Sequence, residues 1–269
     1  MVVFAVHERR FFFYTTVINI GGINMNNEYS FYDNLKNWDF SDIKCEEESL
    51  TNWDFDEEIK KLINENSVVL DLGTGGGECV LNYPFAKEII ATDFSNGMIE
   101  TAKRNLEKSG RLDLSFKVMD NLSMNVLDNY FDVVTARNTV TDMRQIYKCL
   151  KDNGVLLLSG VDKLDCWDLK RRFGKGQGFF DSKPISLIDY ENALDAGFRN
   201  VELIFLHVRK YYKTFDDLLA LLYKTPILND FDAINRNIDL DLLNKYVDSH
   251  TYEKGILLVR RYYGIVAKK

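Results

Sequence analysis

Ser67-Val68-Val69-Leu70-Asp71-Leu72-Gly73-Thr74-Gly75-Gly76-Gly77-Glu78 is the stretch from which the rest of the chain is read. Its first half is short, aliphatic and unalternated, the pattern of a strand buried on both faces of a parallel sheet. Its second half is rich in glycine, which lets a backbone turn sharply and approach a ligand that a Cβ would hold off. Glu78-Cys79-Val80-Leu81 then reads as the first turn of a helix, whose free N–H groups face that turn. Strand, glycine-rich turn and helix make the nucleotide-binding corner of a doubly wound α/β fold.

Working outward, the chain alternates. Strands are predicted at 67–72, 87–93, 114–119, 131–136 and 155–159. A helix capped by Ser95 runs to about Glu107, and a second over 141–150 stops at the turn Lys151-Asp152-Asn153-Gly154. Further on lie a helix at 184–196 ended by Gly197, a strand at 201–208, helices at 215–222 and 240–247, and a final strand at 255–267. Strands alternating with helices imply right-handed crossovers and helices on both faces of the sheet.

Asp93 closes the second of these strands, where a carboxylate can accept both hydroxyls of a ribose; dinucleotide folds use the same device. The glycines discriminate better. G-x-G-x-x-G counted from Gly73 needs a third glycine where Glu78 stands, so the close helix contact of a pyrophosphate site is missing.

VVLDLGTGGGE resembles motif I of class I S-adenosylmethionine-dependent methyltransferases, and ATDFSNGMIETAKRN resembles their second motif. VMDNLSMNVLDNYFDVVTARNTV is similar to the third and fourth, and LKDNGVLLLSG to the fifth. These motifs stand in order over 67–160; the flanks resemble, more distantly, an uncharacterised small-molecule branch close to the type 11 methyltransferases. The resemblance implies a Rossmann-like, doubly wound sheet of seven mostly parallel strands with an antiparallel last strand. It implies S-adenosylmethionine as cofactor, and roles for residues of this chain. Gly73, Gly75 and Gly77 would admit the methionine moiety, and Asp71 would orient its ammonium through water. Asp93 would take the ribose diol, and Phe94 and Met98 would flank the adenine, with plain helix core as the alternative reading of Met98. Asp120 would accept from the adenine amino group with the Asn121 N–H at the ring edge, and Arg137 and Asn138 would lie near the sulfonium and the acceptor.

Methyl transfer from a sulfonium is an in-line displacement, in which a protein mainly holds donor and nucleophile collinear and dry. A general base is needed only for a protonated acceptor; Asp142, His207 and Tyr32 are candidates and none is assigned. Asp132, at a strand start, reads as structural. Relatives acting on the amino groups of adenine or glutamine resemble one another in an Asn-Pro-Pro-Tyr-like motif, whereas this chain has Arg137-Asn138-Thr139-Val140. The expected acceptor is therefore a small molecule. An RNA or protein methyltransferase is the alternative, followed by an NAD-binding oxidoreductase or a non-catalytic adenosyl binder.

The flanks divide into three. Residues 1–24 form an atypical extension with three open readings: a signal peptide, an extra packed element, or a leader before a start at Met25. Residues 25–66 are polar and aromatic and are expected to form a helical cap, with a lid over the ligand as its sharper reading. The methyltransferase domain occupies 67–269, with lid insertions at 162–182 and 210–250. The first insertion is basic, with Lys163, Lys170, Arg171, Arg172 and Lys175; it reads either as a mobile loop or as a flap suited to a carboxylate or phosphate on the acceptor. A net charge of −7 weighs against non-specific nucleic-acid or membrane-surface binding. Cys45, Cys79, Cys149 and Cys166 form no CxxC pair, so neither zinc nor a disulfide framework is expected, and free thiols suit a reducing cytoplasm. No apolar run reaches the roughly 20 residues of a membrane span.

Overall fold

The computed structural model describes residue 40, residues 42–228 and residues 237–269. The 1–24 extension, the aromatics between Tyr29 and Trp38, and part of the 210–250 insertion lie outside the described residues. In chain order the elements are strand β1 (Cys45–Ser49), helix α1 (Phe55–Leu62), β2 (Val68–Leu72), β3 (Glu88–Asp93), α2 (Asn96–Ser109), β4 (Leu114–Val118), β5 (Phe131–Arg137) and α3 (Met143–Cys149). Then follow β6 (Leu150–Val161), α4 (Trp167–Phe173), α5 (Ile185–Ala196), β7 (Arg199–Tyr212), α6 (Phe215–Lys224), α7 (Leu240–His250), β8 (Thr251–Tyr252) and β9 (Gly255–Lys268).

They make one sheet in the order β1-β7-β9-β6-β5-β2-β3-β4, with β8 paired to β9. Strands β6, β5, β2, β3 and β4 are mutually parallel, and β9 runs antiparallel between β6 and β7. The expected seven strands are all present; β1 and β8 are additional. Strand β1 lies in the 25–66 region expected to form a helical cap. Its glutamates instead form a charged ladder on the sheet edge, Glu46 with Lys213 and Lys254, Glu47 with Lys210 and Glu48 with Arg209. Pairing with β7 supplies backbone partners that a solvated helix of that length would lack.

The helix expected after β2 shrinks to a single 3₁₀ turn, Val80–Asn82. Pro84 biases Tyr83 to extended backbone (φ −64°, ψ 154°) and stops the helix. Arg111 then fixes the segment from outside: its guanidinium donates to the carbonyls of Leu81, Tyr83 and Pro84 while paired with Asp113 at 2.6 Å.

The core has two layers, as a sheet covered on both faces requires. One holds Leu70, Leu72, Val134, Ala136, Leu156 and Leu158 against α3 and α5; the other holds Val69, Ile89, Ala91 and Val133 against α1 and α2. A third cluster, with Leu169, Tyr212, Leu218, Leu243, Tyr246 and Leu258, stands apart. Strands β7 and β9 outrun β6, whose last residue Val161 pairs with Tyr262, and their extension carries this cluster past the carboxyl ends of the parallel strands. Helices α4, α6 and α7 complete an upper lobe there. Among the described residues no helix is long and apolar enough to cross a membrane.

Candidate functional site

Parallel pairing brings the ends of β2, β3, β4 and β5 side by side. Leu72 is level with Thr92 and Ala136, and Asp93 with Val118. Residues just beyond these strands, Gly73, Phe94, Asp120 and Asn138, therefore emerge at one edge, where open α/β sheets bind ligands.

The Gly73–Gly77 turn is held from below. The Thr74 N–H donates to the Thr92 carbonyl at 2.8 Å, and the Gly75 N–H donates to Asp93 Oδ2 at 2.9 Å. Gly73, Gly75 and Gly77 have φ of 70°, 59° and 81°, the left-handed region. A Cβ on Gly73 would lie 2.5 Å from the Thr139 side chain, and one on Gly77 2.8 Å from Phe116. Two of the three glycines thus admit protein side chains to the turn.

Asp71 is buried beneath the turn, its Oδ1 accepting from the Tyr83 hydroxyl at 2.9 Å and the Thr135 hydroxyl at 2.6 Å. Burial pushes its carboxyl pKa up, and the hydroxyl donors pull against that shift. Tyr83, which the sequence did not single out, is held by burial well above the usual phenol range. Its signal was the Tyr-Pro pair that ends the 3₁₀ turn.

Asp93 Oδ1 accepts from the Ser95 N–H at 2.9 Å, so its carboxylate joins the glycine turn to the start of α2. Ser95 caps α2 as expected, accepting from the Met98 N–H at 3.2 Å. Met98 is buried in that first turn and Phe94 half-buried before it. After β4, exposed Asp120 accepts from the Leu122 N–H at 2.8 Å. Asn121 Nδ2 donates to Thr139 Oγ1 at 3.0 Å and to the Val140 carbonyl at 3.3 Å. A carbonyl only accepts, which fixes the amide orientation. Asn121 Oδ1 is then buried with no partner among the described residues.

At the end of β5, Arg137 donates through Nη2 to Asp56 of α1, and its guanidinium lies 4.5 Å from the centroid of the Phe55 ring. Arg137 Nε is buried without a partner among the described residues. Asn138 takes φ 52° and donates its N–H to the Ser159 carbonyl at 2.7 Å.

The candidate bases do not gather here. Asp142 caps α3, accepting from the N–H groups of Arg144 and Gln145 at 2.9 and 3.4 Å. His207 is exposed on β7 opposite Arg261, and Tyr32 lies outside the described residues. Asp132 is structural, accepting from the Val68 N–H and from Lys151 at 2.8 Å each. In the basic 162–182 segment, which the sequence left open between a mobile loop and a cationic flap, the cations have partners within the protein. Lys170 is buried and donates to the carbonyls of Lys163 and Gln177, Lys163 donates to the Asp181 carbonyl, Arg171 pairs with Asp168, and Arg172 donates to Ser249. Lys163 and Lys170 tie the segment together by donating to its backbone carbonyls, whereas Arg171 and Arg172 are exposed and meet side chains.

Residues 69–154 match a family model described as a methyltransferase domain. The ribosomal protein L11 methyltransferase of Streptococcus pneumoniae is 30% identical over 129 residues, covering 45% of this chain and 40% of that protein. The phosphoethanolamine N-methyltransferase of Plasmodium falciparum is 28% identical over 119 residues, covering 39% of this chain and 44% of that protein. The chain spans less than half the length of these curated relatives. Among solved structures, the YcgJ protein of Bacillus subtilis superposes with a TM-score of 0.55 at 18% identity, covering 80% of this chain and 97% of that one. A Haemonchus contortus phosphoethanolamine N-methyltransferase 2, solved with phosphomonomethylethanolamine and S-adenosylhomocysteine, superposes with a TM-score of 0.51 at 20% identity, covering 81% and 52%.

Proposed function

We propose that this chain, whose residues 69–154 match a methyltransferase-domain family model, is a class I S-adenosylmethionine-dependent methyltransferase that passes the methyl group of that donor to a small-molecule acceptor. The observation that carries the reading is the convergence at one sheet edge of a left-handed glycine turn, the Asp93 carboxylate and two buried polar atoms lacking partners, Asn121 Oδ1 and Arg137 Nε. Buried polar atoms are nearly always paired, so an unpaired pair beside a glycine turn fits a polar ligand with both donors and acceptors.

The residues present fit the donor. Asp93, which accepts from the Gly75 and Ser95 N–H groups, stands between the glycine turn and the start of α2, where a carboxylate would take the ribose diol. Phe94 and Met98 would bracket the adenine, with Asp120 and Asn121 at its polar edge, and Asp71 would act on the methionine end through the turn it anchors. Arg137 and Asn138 would close that end of the pocket. The donor supplies a methyl carbon already activated by its sulfonium. This chain's own contribution is to orient and to exclude water. No residue at the edge is assigned as a base.

The upper lobe, whose third apolar cluster rises past the strand ends on the β6 side, is the feature that supports a small acceptor. The L11-methyltransferase relative favours a second reading, a protein acceptor. A labelled-methyl donor incubated with this protein and, separately, the small-molecule and macromolecular fractions of a cell extract tests the two. Label in a small molecule is expected. Label confined to protein or RNA sinks the small-acceptor reading, and no label in either fraction alongside tight NAD binding sinks the methyltransferase reading.

A further inference from the structure

Arg137, at the end of β5, has a donor left over. Its Nη2 meets Asp56, its plane covers Phe55, and its Nε is buried with no acceptor among the described residues. A buried guanidinium N–H without an acceptor is costly, and the fixed guanidinium fork matches a carboxylate or a phosphate, of which the donor carries only the first. The present partner is replaceable: the Asp56 side chain is 58% exposed, and exposed ion pairs contribute little.

Electrostatics narrows which part of a ligand comes here. The donor carries a positive sulfonium and a positive ammonium, and like charges brought together in a partly buried site repel strongly. A guanidinium shares that pocket favourably only at the ligand's negative end, its carboxylate. We infer that Arg137 is the receptor for the methionine carboxylate of the donor, and that Asp56 occupies the same guanidinium until the ligand arrives. This inference rests on the methyltransferase reading and moves Arg137 from the sulfonium to the carboxylate end of the ligand. It also couples α1 to occupancy, since Asp56 and Phe55 both belong to that helix.

Calorimetry with S-adenosylhomocysteine and its decarboxylated counterpart tests it. The wild-type protein is expected to prefer the carboxylate-bearing ligand by roughly tenfold or more, the scale of a charge-assisted hydrogen bond. Arg137→Gln is expected to bring the two affinities together by weakening the carboxylate-bearing ligand alone; unchanged binding of the decarboxylated form reports that the variant is folded. Asp56→Asn, at an exposed position, is expected to tighten the carboxylate-bearing ligand several-fold and leave the other as it was. Equal affinities in the wild type, or a preference that survives Arg137→Gln, overturns the inference while leaving the methyltransferase reading intact. A wild-type protein that binds neither ligand overturns both.

Discussion

Each polar side chain at this edge is constrained by a neighbour that the sequence alone does not reveal. The acids Asp71 and Asp93 and the three glycines were legible because residue type and spacing follow from what a strand-to-turn corner needs. Tyr83, Thr135 and Thr139 were not: the β2–β5 register sets Thr135 beside Asp71, while the loops after β2 and β5 bring Tyr83 to Asp71 and Thr139 to Gly73. Gly73→Ala exposes one such constraint. Its left-handed φ and the 2.5 Å approach to Thr139 are expected to cost about 2–4 kcal/mol together. Measured by urea unfolding, the same substitution is expected to cost less in a Thr139→Gly background, where the steric part is gone; equal costs in both backgrounds would show that Thr139 does not limit the turn. Tyr83→Phe removes one of the two hydroxyls on buried Asp71 and is expected to destabilise by about 1–3 kcal/mol. A midpoint within error of wild type would mean that the Thr135 hydroxyl alone satisfies the carboxylate.

Elements were legible wherever periodicity, caps and breakers agreed. Helix α2 starts at its Ser95 cap, and α5 runs between Pro184 and Gly197 as expected. Reading failed where a long-range partner outweighed a local preference. Glu46 to Glu48 form a strand because cations on β7 and near β9 neutralise them, and the turn after β2 stays short because Arg111 collects three of its carbonyls. The junction of β1 with α6 has its own pH dependence. Asp217 completes the capping box of α6 with Thr214 and also accepts from the Lys44 N–H at 2.9 Å. The Thr214 hydroxyl bond, then the backbone donor of Lys44, holds its carboxyl below the ordinary aspartate range. A lowered folded-state pKa means the stabilisation is present above the unfolded pKa and is lost as pH falls through the folded one. Carbon NMR is expected to place the Asp217 midpoint below that of an unstructured aspartate, with Lys44 amide exchange accelerating over the same interval. An ordinary midpoint, or Lys44 protection that persists below it, would detach the cap from the strand.

At the scale of the whole molecule, the regular alternation of strands and helices accounts for the lower half, while the upper lobe depends on contacts between segments far apart in the chain. Its cations were visible in the sequence as a basic stretch, but their use was not, because charge alone does not say whether a side chain faces solvent or buried carbonyls. The tie between lobe and sheet is a buried ion pair. Asp165, just ahead of α4, accepts from Arg260 Nε of β9 at 2.8 Å and from the Arg261 N–H at 2.7 Å. Both side chains are nearly inaccessible, 3% for Asp165 and 10% for Arg260. Removing one partner of such a pair leaves the other charge buried, which typically costs about 3–5 kcal/mol, whereas replacing both by apolar groups is often close to neutral. Asp165→Leu is therefore expected to lower stability by that amount and to open the 162–182 segment to limited proteolysis. Asp165→Leu combined with Arg260→Met is expected to recover most of the loss, because no unpaired charge remains and the Arg261 N–H has only its one acceptor to replace. Urea unfolding of the single and double variants, with proteolysis of each under native conditions, decides it. If the single variant unfolds within about 1 kcal/mol of wild type, the pair does not hold the lobe. If the double variant is as unstable as the single one, the hydrogen bond to the Arg261 backbone, rather than the buried charge, is what fixes α4 above the sheet.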